Sequence, residues 1–155
     1  RPVRLAHQFD PRLRAVGPDD AVLPGYHVSL ADGYPLLLVG DGSLAALNAR
    51  LATPVPFARF RPNLVIAGAG AWAEDGWRRI RVGGATLRIA RASTRCVVVT
   101  QQPGTGERLE GDEPLATLRA MGRRTKAGVI FGRNAIPESG GTIRVGDPVT
   151  LVDPA

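Results

Sequence analysis

Apolar positions in this chain come in short bursts rather than long helical stripes. Tyr34–Val39 contains an unbroken apolar run, which predicts a buried strand. Leu44, Leu47 and Leu51 follow at i, i+3, i+7 spacing, one face of a helix that Ser43 would cap and Pro54 would end. Further strands are predicted at Asn63–Ala67, Trp77–Val82, Ala85–Ala90, Cys96–Thr100, Val129–Phe131, Thr142–Val145 and Val149–Val152, with Arg1–Ala6 and Gly25–Leu30 ahead of them. Gly83-Gly84 and Gly146-Asp147 stand where hairpins would turn. A second short helix is predicted from about Glu113 to Ala120, after a polar loop that begins at Pro103. Many short strands with one or two short helices predict a mainly β fold, a β-barrel or folded sheet, rather than a parallel α/β fold.

Length and composition narrow the class. The 155 residues predict one domain, and 44% hydrophobic residues exclude disorder by composition. No apolar run reaches the roughly 20 residues that span a bilayer, so no membrane segment is expected. There is no apolar leader at the start, and Arg1 in place of Met suggests a fragment or processed product. Net charge is +6 with a pI near 10.9, almost all of it from arginine, since Lys126 is the only lysine. Such a balance suits nucleic acid, an anionic surface or an anionic cofactor. The arginines are scattered in nothing longer than pairs such as Arg78-Arg79 and Arg123-Arg124, and aromatics are few. Nucleic acid is therefore not the expected partner. One cysteine, Cys96, excludes an internal disulfide and a Cys-rich zinc site, and predicts a reducing, cytoplasmic compartment. His7 and His27 lie outside metal-ligand spacing. Gly68-Ala69-Gly70 lacks the third glycine of a dinucleotide loop.

Three stretches could carry chemistry. In Arg59-Phe60-Arg61-Pro62-Asn63, guanidinium forks suit phosphate or a polar heterocycle, and Asn both donates and accepts. The same pattern also reads as a simple strand entry. Glu74-Asp75 offers adjacent carboxylates for acid/base work, capping or mere surface, and on an extended chain only one would face a site. In Ser93-Thr94-Arg95-Cys96, a lone cysteine opening an apolar strand is a small buried hydrophobe or, with Arg95 beside it, a thiolate for a soft metal or an electrophile.

Taken in order, these segments resemble one family. The series runs Asp32-Gly33-Tyr34-Pro35, Arg59-Phe60-Arg61-Pro62-Asn63, Ala73-Glu74-Asp75 with Trp77, and Thr94-Arg95-Cys96. Gly104-Thr105-Gly106, Phe131-Gly132-Arg133-Asn134 and Gly141–Val149 follow. The chain is similar to the MOSC family, named for the C-terminal domain of molybdenum cofactor sulfurase, in the branch of the amidoxime-reducing component and its bacterial relatives. The resemblance covers nearly the whole chain. It implies a MOSC-type β-barrel over residues 1–155, with residues 1–30 as the tail of an N-terminal β-rich region. It also implies a molybdopterin-type molybdenum cofactor with the Cys96 thiolate on the metal. Arg61 and Asn63 match positions that hydrogen-bond the pterin and phosphate part, Thr94 a small hydroxyl residue beside the cofactor, and Arg95 adjoins them. Asn134 falls where the Phe-Gly stretch approaches the cofactor, and Asp75 matches an acidic position near the metal. At family level an association with pyridoxal phosphate is implied as well.

The activity implied is reduction of small N-hydroxylated substrates. The electrons would come from a separate donor of ferredoxin, flavoprotein or cytochrome type, because one cysteine cannot ligate an iron–sulfur cluster. Ser93 stands where relatives often carry a second cysteine. The competing readings are a non-catalytic sulfur-carrier or cofactor-delivery domain using Cys96, and an inert structural barrel.

Overall fold

A computed structural model of the chain describes residue 10 and residues 33–108 and 111–153. The chain forms two compact units, Arg1–Pro35 and Leu36–Ala155, and every element below belongs to the second. The strands expected at Arg1–Ala6 and Gly25–Leu30 lie outside the described residues.

The elements run β1 (Leu36–Gly40), α1 (Asp41–Asn48), β2 (Leu64–Ile66), β3 (Arg79–Val82), β4 (Ala85–Thr94), α2 (Leu115–Ala120), β5 (Arg124–Thr125), β6 (Gly128–Ser139) and β7 (Val149–Asp153). Six strands make one curled half-barrel in the order β2-β1-β6-β4-β3-β7, while β5 pairs off β6. Among the described residues the fold is mainly β, with two short α-helices. β1 and β2 are parallel; the other pairs are antiparallel. Neither helix is long and apolar enough to cross a membrane.

The curl has a local cause. The long β4–β6 ladder slips register at Thr86/Leu87, Ile89/Arg91 and Ala92/Thr94. Each extra residue bends a strand and tightens its twist. At the last slip the extra residue falls on β6, where Gly132 takes φ +77. A Cβ there would stand 2.7 Å from the Leu38 carbonyl, so only glycine fits the bend.

β1 explains its own unbroken apolar run. Val39, with Leu37 beside it, packs against Leu44, Leu47, Leu118 and Phe131 on the helix side. Leu38, with Leu36 beside it, packs with Ile66, Ile80, Leu87 and Ala135 inside the curl. A strand covered on both faces needs no polar alternation. Asn48 closes the loop after α1 by exchanging two hydrogen bonds with the Val55 backbone, at 2.9 and 3.0 Å.

Four expectations are corrected. Ser43 is not the helix cap; Gly40 holds that position, without a side-chain cap, and Ser43 is buried inside the first turn. Leu51 lies beyond the helix, which ends at Asn48. Cys96–Thr100 is not a strand: Cys96 heads a 3₁₀ turn over Val97–Thr100. The Thr100 hydroxyl donates to the Val97 carbonyl at 2.7 Å and closes that turn, while Val99 and Thr100 are buried together. Successive strand residues point to opposite faces, so the turn is what buries this neighbouring pair. Thr142–Val145 is also not a strand. Asp147 folds it back, accepting from the Arg144 amide at 2.7 Å, and β7 pairs with β3 instead.

Candidate functional site

β4 ends beside β6 with Thr94 opposite Ile130. The Arg95 amide adds one more ladder bond, to the Val129 carbonyl at 2.7 Å. The chain then turns at Cys96, whose thiol is free and exposed. The Arg95 side chain is held by two hydrogen bonds. One of its nitrogens donates to the Ser93 hydroxyl at 3.0 Å and another to the Phe60 carbonyl at 2.8 Å. Its guanidinium carbon lies 5.8 Å from the centre of the Phe60 ring, and its Nε is buried with no partner. Burial pushes the Arg95 pKa below its ordinary value, and negative charge at Cys96 pushes it back up.

The opposite wall is the 3₁₀ turn Phe57–Arg59 and the residues after it. Arg61 takes φ +55, and its amide donates to the Phe57 carbonyl at 3.2 Å. Arg59 is buried and reaches across to Gln101 and Gln102. Between this turn and the loop 101–106 lies an open cavity of about 440 Å³, which Arg59, Arg61 and Val98 also line.

Asn63 is engaged by β1. Its Oδ1 accepts from the Leu37 amide at 2.7 Å and its own amide donates to the Leu37 carbonyl at 2.9 Å, so it extends the β1–β2 pairing. It lines a larger groove of about 890 Å³ with Trp77 and Leu151, not the cavity of Arg61. Asn134 pairs with Leu37 and Arg91 in the middle of the sheet. Its partner Arg91 lies three residues along β4 from Thr94, roughly 10 Å away along the strand. The Arg95–Phe60 bond thus sets the end of β4, which leads to Cys96, against the turn that leads to Arg61, while Asn63 and Asn134 take part in the pairing of the sheet.

Glu74 and Asp75 share the 3₁₀ turn Ala73–Gly76, and both are used. Asp75 is gripped by two guanidiniums. Arg123 binds both its carboxylate oxygens, the second at 3.0 Å, and Arg133 lies 3.1 Å from Oδ1 and donates to the Asp75 carbonyl at 2.8 Å. The Arg123 guanidinium lies 4.2 Å above the Trp72 ring. Trp72 meets Phe131 edge-on at 6.0 Å, and Phe131 stacks on Phe60 at 4.0 Å. Asp75 is therefore joined to Arg95 through an aromatic row of half-buried Trp72 and buried Phe131 and Phe60.

Residues 25–150 match the model of the MOSC domain. The chain belongs to the MOSC domain family. It is 37% identical to mitochondrial amidoxime-reducing component 1 of Homo sapiens over 162 aligned positions, covering 98% of this chain and 48% of that protein. It is 32% identical to mitochondrial amidoxime reducing component 2 of Rattus norvegicus over 154 positions, covering 92% and 45%. This MOSC chain spans about half the length of the curated relatives it matches. Those relatives are named as mitochondrial proteins, which lends the cytoplasmic expectation no support.

The rim of this MOSC domain fits an anionic metallocofactor on its own chemistry. It offers an exposed sulfur, a desolvated guanidinium with an orphaned Nε beside it, and two further arginines on the adjoining cavity. Among the described residues no group of three or more His, Cys, Asp or Glu could hold a metal ion.

The sequence reading gave no role to Arg123 or Arg133, and left Glu74 open between acid/base work, capping and surface. Glu74 is 1% exposed; its oxygens accept from the Gly40 amide at 3.2 Å and the Ser43 hydroxyl at 2.8 Å. Ser43 in turn accepts from the Trp72 amide at 2.8 Å. The only sequence signal was the adjacency of the two carboxylates, and the 3₁₀ turn is what lets both point at partners.

Proposed function

We propose that this MOSC domain binds a molybdopterin-type molybdenum cofactor and serves in the reduction of N-hydroxylated compounds. The observation that carries the reading is the exposed Cys96 sulfur set beside the desolvated Arg95 guanidinium. A thiolate is the soft anionic ligand that molybdenum accepts, and nearby guanidiniums favour an anionic group. The names of the relatives, amidoxime-reducing components, support this substrate class.

Cys96 would hold the metal. Arg95, fixed by Ser93 and Phe60, would hold positive charge beside it, and Arg61 would face the anionic part of the cofactor. Thr94, exposed at the end of β4, would offer a hydroxyl at the same rim. Asp75 acts in this reading through Arg123 and the aromatic row, as a positioning residue. When bound, the metal supplies oxygen-atom removal: the N–O bond breaks, two electrons and two protons enter, and water leaves. The electrons come from a separate donor of ferredoxin, flavoprotein or cytochrome type. Pyridoxal phosphate forms no part of this reading, because the rim's cations are guanidiniums and not the amine that a Schiff base needs.

The test is molybdenum content together with the fluorescence of the oxidised pterin, in protein from molybdate-sufficient cells. The wild type should carry both, and Cys96→Ser should carry no molybdenum while keeping its thermal transition. Equal metal in the two proteins removes Cys96 as the ligand. Metal-free wild type with cyanide-labile sulfur on Cys96 replaces this reading with the sulfur-carrier one, which the same exposed thiol also suits.

A further inference from the structure

We infer that the surface around the turn after Cys96 docks an acidic electron-carrier protein, with Val97 and Val98 as its apolar centre and Arg61, Arg124 and Lys126 as its cations. Val97 and Val98 are 48% and 47% exposed. The 3₁₀ turn over Val97–Thr100 buries Val99 and Thr100 and leaves outside the two valines that follow the exposed Cys96. Three successive residues thus present an open, charge-poor surface, the character of an interface centre.

Arg95 links this turn to cations on two other elements. Its side chain donates to the Phe60 carbonyl, next to Arg61, and Arg61 lines one cavity with Val98. Its amide donates to the Val129 carbonyl of β6, and Val129 pairs with Arg124 of β5. Arg124 therefore stands two strand spacings, about 10 Å, from the residue before Cys96. Lys126 follows in the turn between β5 and β6. Arg61, Arg124 and Lys126 are all exposed, and none has an ion pair among the described residues. Asp75 is held by Arg123 and Arg133, and Asp112 by Arg119. Glu107, one residue past the loop that lines the cavity, leaves the cations in the majority. Exposed charge of one sign steers a partner of the other sign and repels its own. Nucleic acid would ask for stacking aromatics, and Phe60 and Phe131 behind this turn are buried. A small apolar centre edged by charge suits the weak, brief encounters of electron transfer.

The inference rests on the reading that Cys96 holds the metal, because a carrier docked on this turn brings its redox centre towards that thiolate. Each encounter oxidises the carrier by one electron. Two encounters, with two protons, supply what is needed to break the N–O bond and release water.

The test is titration of the isotope-labelled chain with an acidic flavodoxin and an acidic ferredoxin, followed by nuclear magnetic resonance, with basic cytochrome c as the control. Both acidic carriers should bind at low ionic strength and weaken steeply with added salt, and cytochrome c should not bind. Arg124→Glu and Lys126→Glu should each weaken binding roughly tenfold. Arg81→Glu should bind as wild type, because exposed Arg81 pairs with Thr86, at the opposite end of β4 from Thr94. Val97→Ser should weaken binding and leave its salt dependence unchanged. If Arg124→Glu does not fold, Lys126→Glu, in the open turn, carries the test alone. With dithionite in place of the carrier, the Arg124 and Lys126 variants should reduce an amidoxime as fast as wild type. Wild type that reduces nothing with dithionite sinks the proposed activity, while the titrations still decide the docking surface. Binding of neither acidic carrier, equal binding of cytochrome c, or equal weakening by Arg81→Glu and Lys126→Glu overturns the inference. So does a dithionite-driven rate that falls with the charge reversals, which would place those cations in the chemistry.

Discussion

Arg95 donates to the main-chain oxygen of Phe60 at 2.8 Å, and this bond ties the end of β4, where Cys96 begins, to the turn that carries Arg59 and Arg61. A lysine at position 95 keeps the charge but cannot span Phe60 and Ser93 as the planar fork does. Arg95→Lys should therefore cost about 1.5–3 kcal/mol of stability, the usual worth of a hydrogen bond to a charged group. It should also lower cofactor retention. Denaturant unfolding alongside molybdenum analysis checks both. Unchanged stability would mean that the Phe60 bond contributes nothing and that the two walls are held otherwise.

Asp75 stands between Arg123 and Arg133, with all three side chains partly buried. Asp75→Asn leaves two neighbouring guanidiniums without their counter-charge. Solvent still reaches the cluster, so the loss is set at about 1.5–3 kcal/mol rather than the larger figure for a fully buried pair. Arg123→Gln in the Asp75→Asn background should cost much less than it does alone, because the interaction is already gone. Additive losses in that cycle would show that the pair does not act as a unit. Activity lost with stability intact would make Asp75 an acid–base group instead.

How far the chain could be read in advance depended on whether local pattern or long-range partners decided each element. β1 and the β3–β4 hairpin were legible because burial on two faces and the Gly83-Gly84 turn leave direct marks. Cys96 was singled out through its family context, since one thiol carries no spacing. The Val97–Val99 run was misread because β-branched residues favour strands, while the Thr100 hydroxyl and the burial of Val99 with Thr100 select a turn. Asn63 was named through its family position, and only the fold shows that its side chain accepts from Leu37, a partner 26 residues away. Arg123 and Arg133 could not be singled out among scattered arginines, because only the fold decides which of them meet Asp75.

Gly42, in the first turn of α1, lies against the backbone of the loop that leads to Trp72. A Cβ at Gly42 would stand 2.3 Å from the Ala69 carbonyl oxygen and 2.8 Å from the Gly70 carbonyl carbon. Backbone cannot swing aside as a side chain can, so Gly42→Ala should destabilise by about 1–3 kcal/mol despite alanine's better helix propensity. Gly70→Ala meets nothing within 4 Å and should stay within about 0.5 kcal/mol of wild type. Paired urea titrations give the contrast. Equal midpoints for both variants would show that the loop is not clamped at Gly42, and that the Glu74–Ser43 bonds alone hold the turn that carries Asp75.

On the far side of the sheet, Arg79 of β3 sits directly opposite Arg88 of β4. Like charges so placed are unfavourable unless an anion joins them. Glu138 of β6 does so, with one oxygen 2.6 Å from Arg88 Nε and the other 3.4 Å from Arg79 Nε; Asp153 adds a contact to Arg79 at 3.0 Å. The arginines are more than a third exposed, so water and salt discount the network. Glu138→Gln should cost about 0.5–1 kcal/mol at low ionic strength. The loss should shrink in 1 M salt, where the screening length falls to about 3 Å. Unfolding curves at the two salt concentrations separate this from a packing effect. A lost hydrophobic contact costs as much or more in high salt, whereas the repulsion between Arg79 and Arg88 fades as ions screen it.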